Sequence, residues 1–238
     1  MTNMIESSVA LLCRGPSLRH IKDLPEVEEY VIVNGFSDEL QLDFIKETLQ
    51  DKPITHVLSL GALKMSYNGV SVFQAMLNKN NYKDFNIKKL ILPYIKECLP
   101  GDAGRPILYN IKNKDDEKIP VHCLSDSHKP HMTSKYKRYS YTYPTCGMDA
   151  LGYCTLEMNK KNIFIIGMDM WEKPGYISEI SVPDKAVSRG GEQGEYELLK
   201  ELLPKFLNHF SDKKFSFYTV ANFQPNLSNV SVTEVEVD

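Results

Sequence analysis

Seven apolar runs of strand length recur along the chain: VALLC (9–13), YVIVN (30–34), THVLSL (55–60), KLILPYI (89–95), VHCL (121–124), IFIIG (163–167) and FSFYTV (215–220). They are continuous, not alternating, as strands covered on both faces of a mostly parallel sheet must be. Between them, segments 38–50, 145–158 and 192–210 mix polar and apolar positions at helical spacing. In the last, Leu198, Leu199, Leu202, Leu203 and Leu207 share one stripe, and Pro204 marks an expected kink. This alternation of strands and helices predicts an α/β fold, a doubly wound and mostly parallel Rossmann-like sheet. One domain is expected over 1–227, with 228–238 as a loose acidic C-terminal tail whose alternation also suits an edge strand. Segment 99–118, rich in Gly, Pro, Asn and charge, reads as an excursion from the core.

Composition narrows the class. A chain of 238 residues, 42% hydrophobic, can bury a sizeable core without disulfides or a structural metal. A formal net charge of −3 speaks against a nucleic-acid partner. Five cysteines (Cys13, Cys98, Cys123, Cys146, Cys154), odd in number and without a CxxC pair, read as reduced thiols of a cytoplasmic protein. No basic n-region precedes the first apolar run, and no run nears the roughly 20 residues of a membrane span. A soluble protein, at most peripheral at a membrane, is expected, and no oligomeric state is implied.

Four places carry candidate chemistry. The first is CRGPSL (13–18), where a strand turns into a helix. Gly15 permits close approach of the backbone, Pro16 suits the first helical position, and Ser17 can cap the helix or bond a phosphate. Arg14 adds charge. Such a turn either holds an anion or is simply tight. It is not GxGxxG, which disfavours a dinucleotide. The second is Asn34, ending the second strand beside that turn, with an amide that suits a ribose or base edge or else an Asn-Gly turn. The third follows the IFIIG strand: Gly167, Asp169, Trp171 and Tyr176. Asp169 there either orients a ligand or bonds backbone amides structurally. The fourth is the segment 127–147, which contains no acidic residue. His128, Lys129, His131, Lys135, Lys137 and Arg138 are interleaved there with Tyr136, Tyr139, Tyr141 and Tyr143. It suits phosphates and stacked rings, or is a solvated basic loop. His128 and His131 lack the further donors of a metal site.

In order, these pieces resemble the bacterial lipo-oligosaccharide sialyltransferase family, which uses a CMP-sialic acid donor. That family opens with a GNGPSL turn, matched here by CRGPSL, and its second strand ends in a nucleotide-binding asparagine, matched by Asn34. Its Thr-Ser-Gly turn into an ALGY helix is matched by Thr145-Cys146-Gly147 and ALGY at 150–153, and its GIDFY strand end by GMDMW at 167–171. The resemblance implies a single Rossmann-like domain with a lid, no required metal, no cofactor beyond the donor, and tyrosines that stabilise the departing phosphate. It implies nucleotide contacts from Arg14, Gly15, Pro16, Ser17, Asn34, Thr145, Cys146, Gly147, Gly167 and Trp171.

The departures are specific. The family's histidine base precedes the last long helix, where this chain reads VSRGGEQGE. Arg14 replaces an asparagine, and Trp171 stands where a phosphate-binding tyrosine belongs. The stretch after Asp169 is short, so the lid is expected to be reduced. Catalytic roles then fall to His131 as general base, with His128 beside it and Asp169 in reserve, and to Tyr176 at the phosphate, with Arg14, Arg138 or Arg189 as helpers. The expectation carried forward is a glycosyltransferase moving a sialic-acid-like sugar from a CMP-activated donor to a glycan acceptor. Two alternatives stand beside it. One is a metal-dependent enzyme like the pterin pyrophosphokinases, which share the GPSL turn, although Gly61 stands where their metal-binding aspartate would be. The other is a non-catalytic nucleotide- or glycan-binding protein of the same fold.

Overall fold

The computed structural model describes residues 4–36, 39–58, 66–67, 70–71, 81–92, 112–123, 145–169 and 193–236. Eight strands form one sheet: β1 (Ile5–Leu12), β2 (Val27–Val33), β3 (Ile54–Val57), β6 (Ile87–Leu92), β7 (Val121–Cys123), β8 (Asn162–Ile166), β9 (Lys214–Thr219) and β10 (Val230–Glu234). A separate antiparallel pair joins β4 (Ser66–Tyr67) to β5 (Val70–Ser71), which the apolar pattern did not suggest. The sheet order is β10-β9-β8-β1-β2-β3-β6-β7, and every neighbouring pair is parallel. The doubly wound expectation holds.

The continuous apolar runs have the reason anticipated for them. Along β1, Ala10 and Leu12 enter one core with Leu18, Ile21, Ile32, Phe36 and Ile54. Val9, Leu11 and Cys13 enter the other, with Val31, Val57, Leu151, Leu199, Leu203 and Phe206. Both faces are therefore dry. The stripe of the last helix, α3 (Gln193–His209), packs through Leu199, Leu202, Leu203 and Leu207, with Pro204 inside the helix.

Two segments fold differently from their pattern. Segment 38–50 divides into a 3-10 turn (Glu39–Gln41) and a short α1 (Asp43–Leu49). Segment 145–158 becomes α2 (Cys146–Gly152), which loosens into a π-helical turn (Tyr153–Glu157). The stretch from 228 onward is not a loose tail: Val230–Glu234 pairs with β9 as the edge strand. Its burial alternates because one side rests on the core through Val230 and Val232. Among the described residues no helix is long and apolar enough to cross a membrane.

Candidate functional site

Strand order runs outward from β1 in both directions, to β2, β3, β6 and β7 on one side and to β8, β9 and β10 on the other. Beside β1 the chain reverses its winding, and connections leave a crevice at the carboxyl ends of the strands. Arg14 to Ser17 leave β1 there, Asn34 leaves β2, Gly167 to Asp169 leave β8, and Thr145 to Gly147 start α2. The topology thus brings the described candidates to one end of the sheet. His131, Tyr176 and Trp171, with His128, Arg138 and Arg189, lie outside the described residues.

The opening turn already holds an anion, and it is the protein's own. Cys13 N–H donates to the Ile166 carbonyl at 2.8 Å and Gly15 N–H to that of Gly167 at 2.8 Å, continuing the ladder past the strand ends. Ser17 N–H, in the first turn of the 3-10 helix Pro16–Asp23, donates to Asp169 Oδ2 at 2.8 Å. Gly167 N–H in turn donates to Ser17 Oγ at 2.8 Å. Asp169 Oδ1 accepts from Thr219 Oγ at 3.0 Å and from Val220 N–H at 3.2 Å. One buried carboxylate therefore ties the ends of β8 and β9 to the helix start, where a negative group is favoured.

These bonds fit the second reading of the turn at Gly15, Pro16 and Ser17, a tight connection from strand to helix. Pro16 has no N–H, and those of Gly15 and Ser17 are spent inside the protein. Asp169 accepts three hydrogen bonds on its two oxygens and so bonds the turn structurally, the second of the two readings given for it. Gly15 does permit a close approach, but the approaching groups are protein. A Cβ there would lie 2.6 Å from the Gly167 carbonyl oxygen and nearer still to Asp169 Oδ2. Gly167 sits at φ +76°, and a Cβ would press into the Cys13 carbonyl. Burial, and then the charge of Asp169, push the Cys13 thiol up, so it is an inert core group.

Arg14 makes an ion pair within the protein. Its Nε donates to Glu39 Oε2 at 2.8 Å, and Glu39 is fully buried. The guanidinium lies against Gly35, where a Cβ would come within 2.7 Å of Nη1. Its positive charge is countered from the 3-10 turn after β2. Thr145 is the N-cap of α2, its Oγ accepting from Met148 N–H at 3.2 Å. The buried Cys146 thiol donates to the Val57 carbonyl at 3.6 Å. Gly147 packs against Met168 and Cys13, with a Cβ reaching 3.2 Å from Cys13 Sγ. A side chain there would have to displace the end of Met168.

Asn34 stands at the same end of the sheet. It is half-buried at the end of β2, in the left-handed region at φ +45°. Asparagine tolerates that region better than most residues. Its N–H donates to the Val57 carbonyl at 2.9 Å. Its own carbonyl lies 2.7 Å from His56 Nε2. His56 was missed in the sequence, where it reads as one polar letter inside an apolar strand. Burial pushes its pKa down to about 4, the hydrogen bond to Asn34 opposing the shift.

No protein-family model matches the sequence, and no curated protein matches it. Solved structures do match in fold. The sialyltransferase CST-II in complex with a trisaccharide acceptor and CMP is 13% identical, with a TM-score of 0.53 over 93% of this chain and 82% of that one. A single-residue variant of CST-II in complex with CMP is 12% identical, with a TM-score of 0.54 over 94% of this chain and 85% of that one. CstII from Campylobacter jejuni in complex with the substrate analogue CMP-3FNeuAc is 14% identical, with a TM-score of 0.50 over 94% and 85%. The chain has the fold of these sialyltransferases.

Proposed function

We propose that this protein binds a CMP-activated acidic sugar in the crevice at the β1/β8 switch point and transfers the sugar to a glycan acceptor. The observation that carries the reading is the position of Asn34. It stands clamped beside the switch point of a sheet that shares its fold with sialyltransferases solved with CMP. Asn34 would contact the nucleotide, and the N-terminus of α2 at Thr145–Gly147 would line the same crevice. Because Arg14 is paired and Asp169 is clamped, the charge of the departing phosphate falls to Tyr176 and the cations of 127–147. The acceptor proton falls to His131. No cofactor enters beyond the donor itself. Arg14, Gly15, Ser17 and Gly167 then act by holding the crevice in shape.

Thermal shift against CMP, UMP, GDP, ATP and a pterin tests the nucleotide. At 100 times its dissociation constant, a ligand stabilises by about 2.7 kcal/mol, or about 5–10 °C for a domain of this size. CMP should give the largest shift. Transfer or hydrolysis of CMP-sialic acid should persist in chelator and fall on the order of 10²-fold in His131→Ala. Activity that requires magnesium and a pterin would replace this reading with the pyrophosphokinase-like one. Tight CMP binding with no turnover would leave a binding protein.

A further inference from the structure

His56 is the fully buried histidine of β3, on the face that carries Ile54 and Leu58 into the first core. A polar ring costs stability there unless both nitrogens are satisfied. They are. The Asn34 carbonyl can only accept, so Nε2, 2.7 Å away, carries the ring proton. Nδ1 of the neutral imidazole is then an acceptor, and the Tyr82 hydroxyl, 2.7 Å away, donates to it. Tyr82 is itself buried, in the 3-10 turn Asn81–Asp84 that leads into β6. A directed chain therefore runs from Tyr82 O–H through His56 to the Asn34 carbonyl. Together with the bond from Asn34 N–H to Val57 O, it ties both backbone polar groups of Asn34 to β3. Asparagine enters the left-handed region at little cost, and these bonds select that conformation from the others open to it.

We propose that His56 and Tyr82 are positioning residues for nucleotide recognition, holding Asn34 in the left-handed conformation that sets its side chain at the crevice. The inference rests on the nucleotide reading above. A leucine at 56 would serve the core as well or better. The histidine's particular contribution is a donor aimed along the strand at one carbonyl, and glutamine can supply a donor of similar reach.

The test compares wild type with His56→Leu, His56→Gln and Tyr82→Phe. Two readouts are taken: CMP affinity by calorimetry, and the backbone carbon and amide shifts of Asn34 by NMR without ligand. His56→Leu should weaken CMP about tenfold, the worth of one well-made hydrogen bond, and move Asn34 out of its left-handed shifts. His56→Gln should restore most of both. Tyr82→Phe keeps the ring and the packing, so it serves if His56→Leu fails to fold, and it should give a smaller loss of the same sign. Variants that bind CMP as wild type does, or an Asn34 whose shifts do not move, would overturn the proposal. A wild-type chain that binds no CMP would sink the nucleotide reading, and the ligand-free shifts of Asn34 would still decide whether His56 positions it.

Discussion

Gly167 and Asp169 show how little room the crevice leaves at the scale of single residues. Gly167 needs its glycine twice, for a positive φ and for contact with the Cys13 backbone. Gly167→Ala should therefore destabilise by about 3 kcal/mol or more, a fall of roughly 6–12 °C in Tm, measurable by calorimetry. Gly15→Val should unfold the opening turn as well, where a phosphate cradle would have lost only its ligand. The pair of Arg14 and Glu39 makes a different demand. Arg14→Met takes the guanidinium away from the buried Glu39 carboxylate and should lower stability, as read by denaturant titration. Arg14→Met combined with Glu39→Leu removes both charges and should recover a large share of that loss. Additive losses would mean that the two side chains do not stabilise one another.

At the scale of elements, the link between β2 and β3 has a pH signature. His56 is held neutral by burial, with a folded pKa near 4 against 6.5 when exposed. The folded state therefore binds the proton less readily than the unfolded chain. This contribution is complete above pH 6.5 and is lost as pH falls from there toward 4, by roughly 3 kcal/mol in all. His56→Gln cannot titrate, so its stability should fall less than that of wild type across this window. Parallel curves would place the titration elsewhere. α2 belongs at this scale too. Capped by Thr145 and started by a buried thiol and a glycine, it is shaped for close approach to the strand ends, and its loosening into a π turn begins only beyond that contact.

For the whole molecule, the sheet is closed on one side by its last strand. β10 runs parallel to β9, Phe215 N–H donates to the Asn229 carbonyl, and Val235 N–H donates to that of Thr219. The Asn229 amide also reaches the carbonyls of Leu207 and Phe210 at the end of α3, at 3.0 and 3.2 Å. Removal of residues 228–238 would uncover the edge of β9 together with the apolar surface beneath Val230 and Val232. Unpaired edges recruit other chains. The truncated protein should lose several degrees in Tm and gain aggregates in size-exclusion chromatography. An unchanged, monodisperse profile would make β10 an appendage. Asp169 belongs to this scale as well, since its bonds to Ser17, Thr219 and Val220 join the first strand's exit to the last helix's return.

The class of the fold was legible because continuous apolar runs of strand length suit strands dry on both faces, and because helical spacing separates them. The gathering of Arg14, Asn34, Thr145 and Gly167 at one end was legible for the same reason: each follows a strand or opens a helix, and parallel strands end together. What each residue does there was decided by tertiary contact. Ser17 reads as a residue that caps the helix or bonds a phosphate, and the sequence cannot say that Asp169, more than 150 positions away, accepts its N–H. Arg14 read as a free charge until the chain folded Glu39 against it. His56 gave no signal because a single polar residue in an apolar strand has no periodicity. Its meaning lies in two hydrogen bonds across 22 and 26 positions of sequence. Pattern records which face a residue takes, since burial is a property of one element. Partnership needs two elements brought together, and only the packed structure decides it.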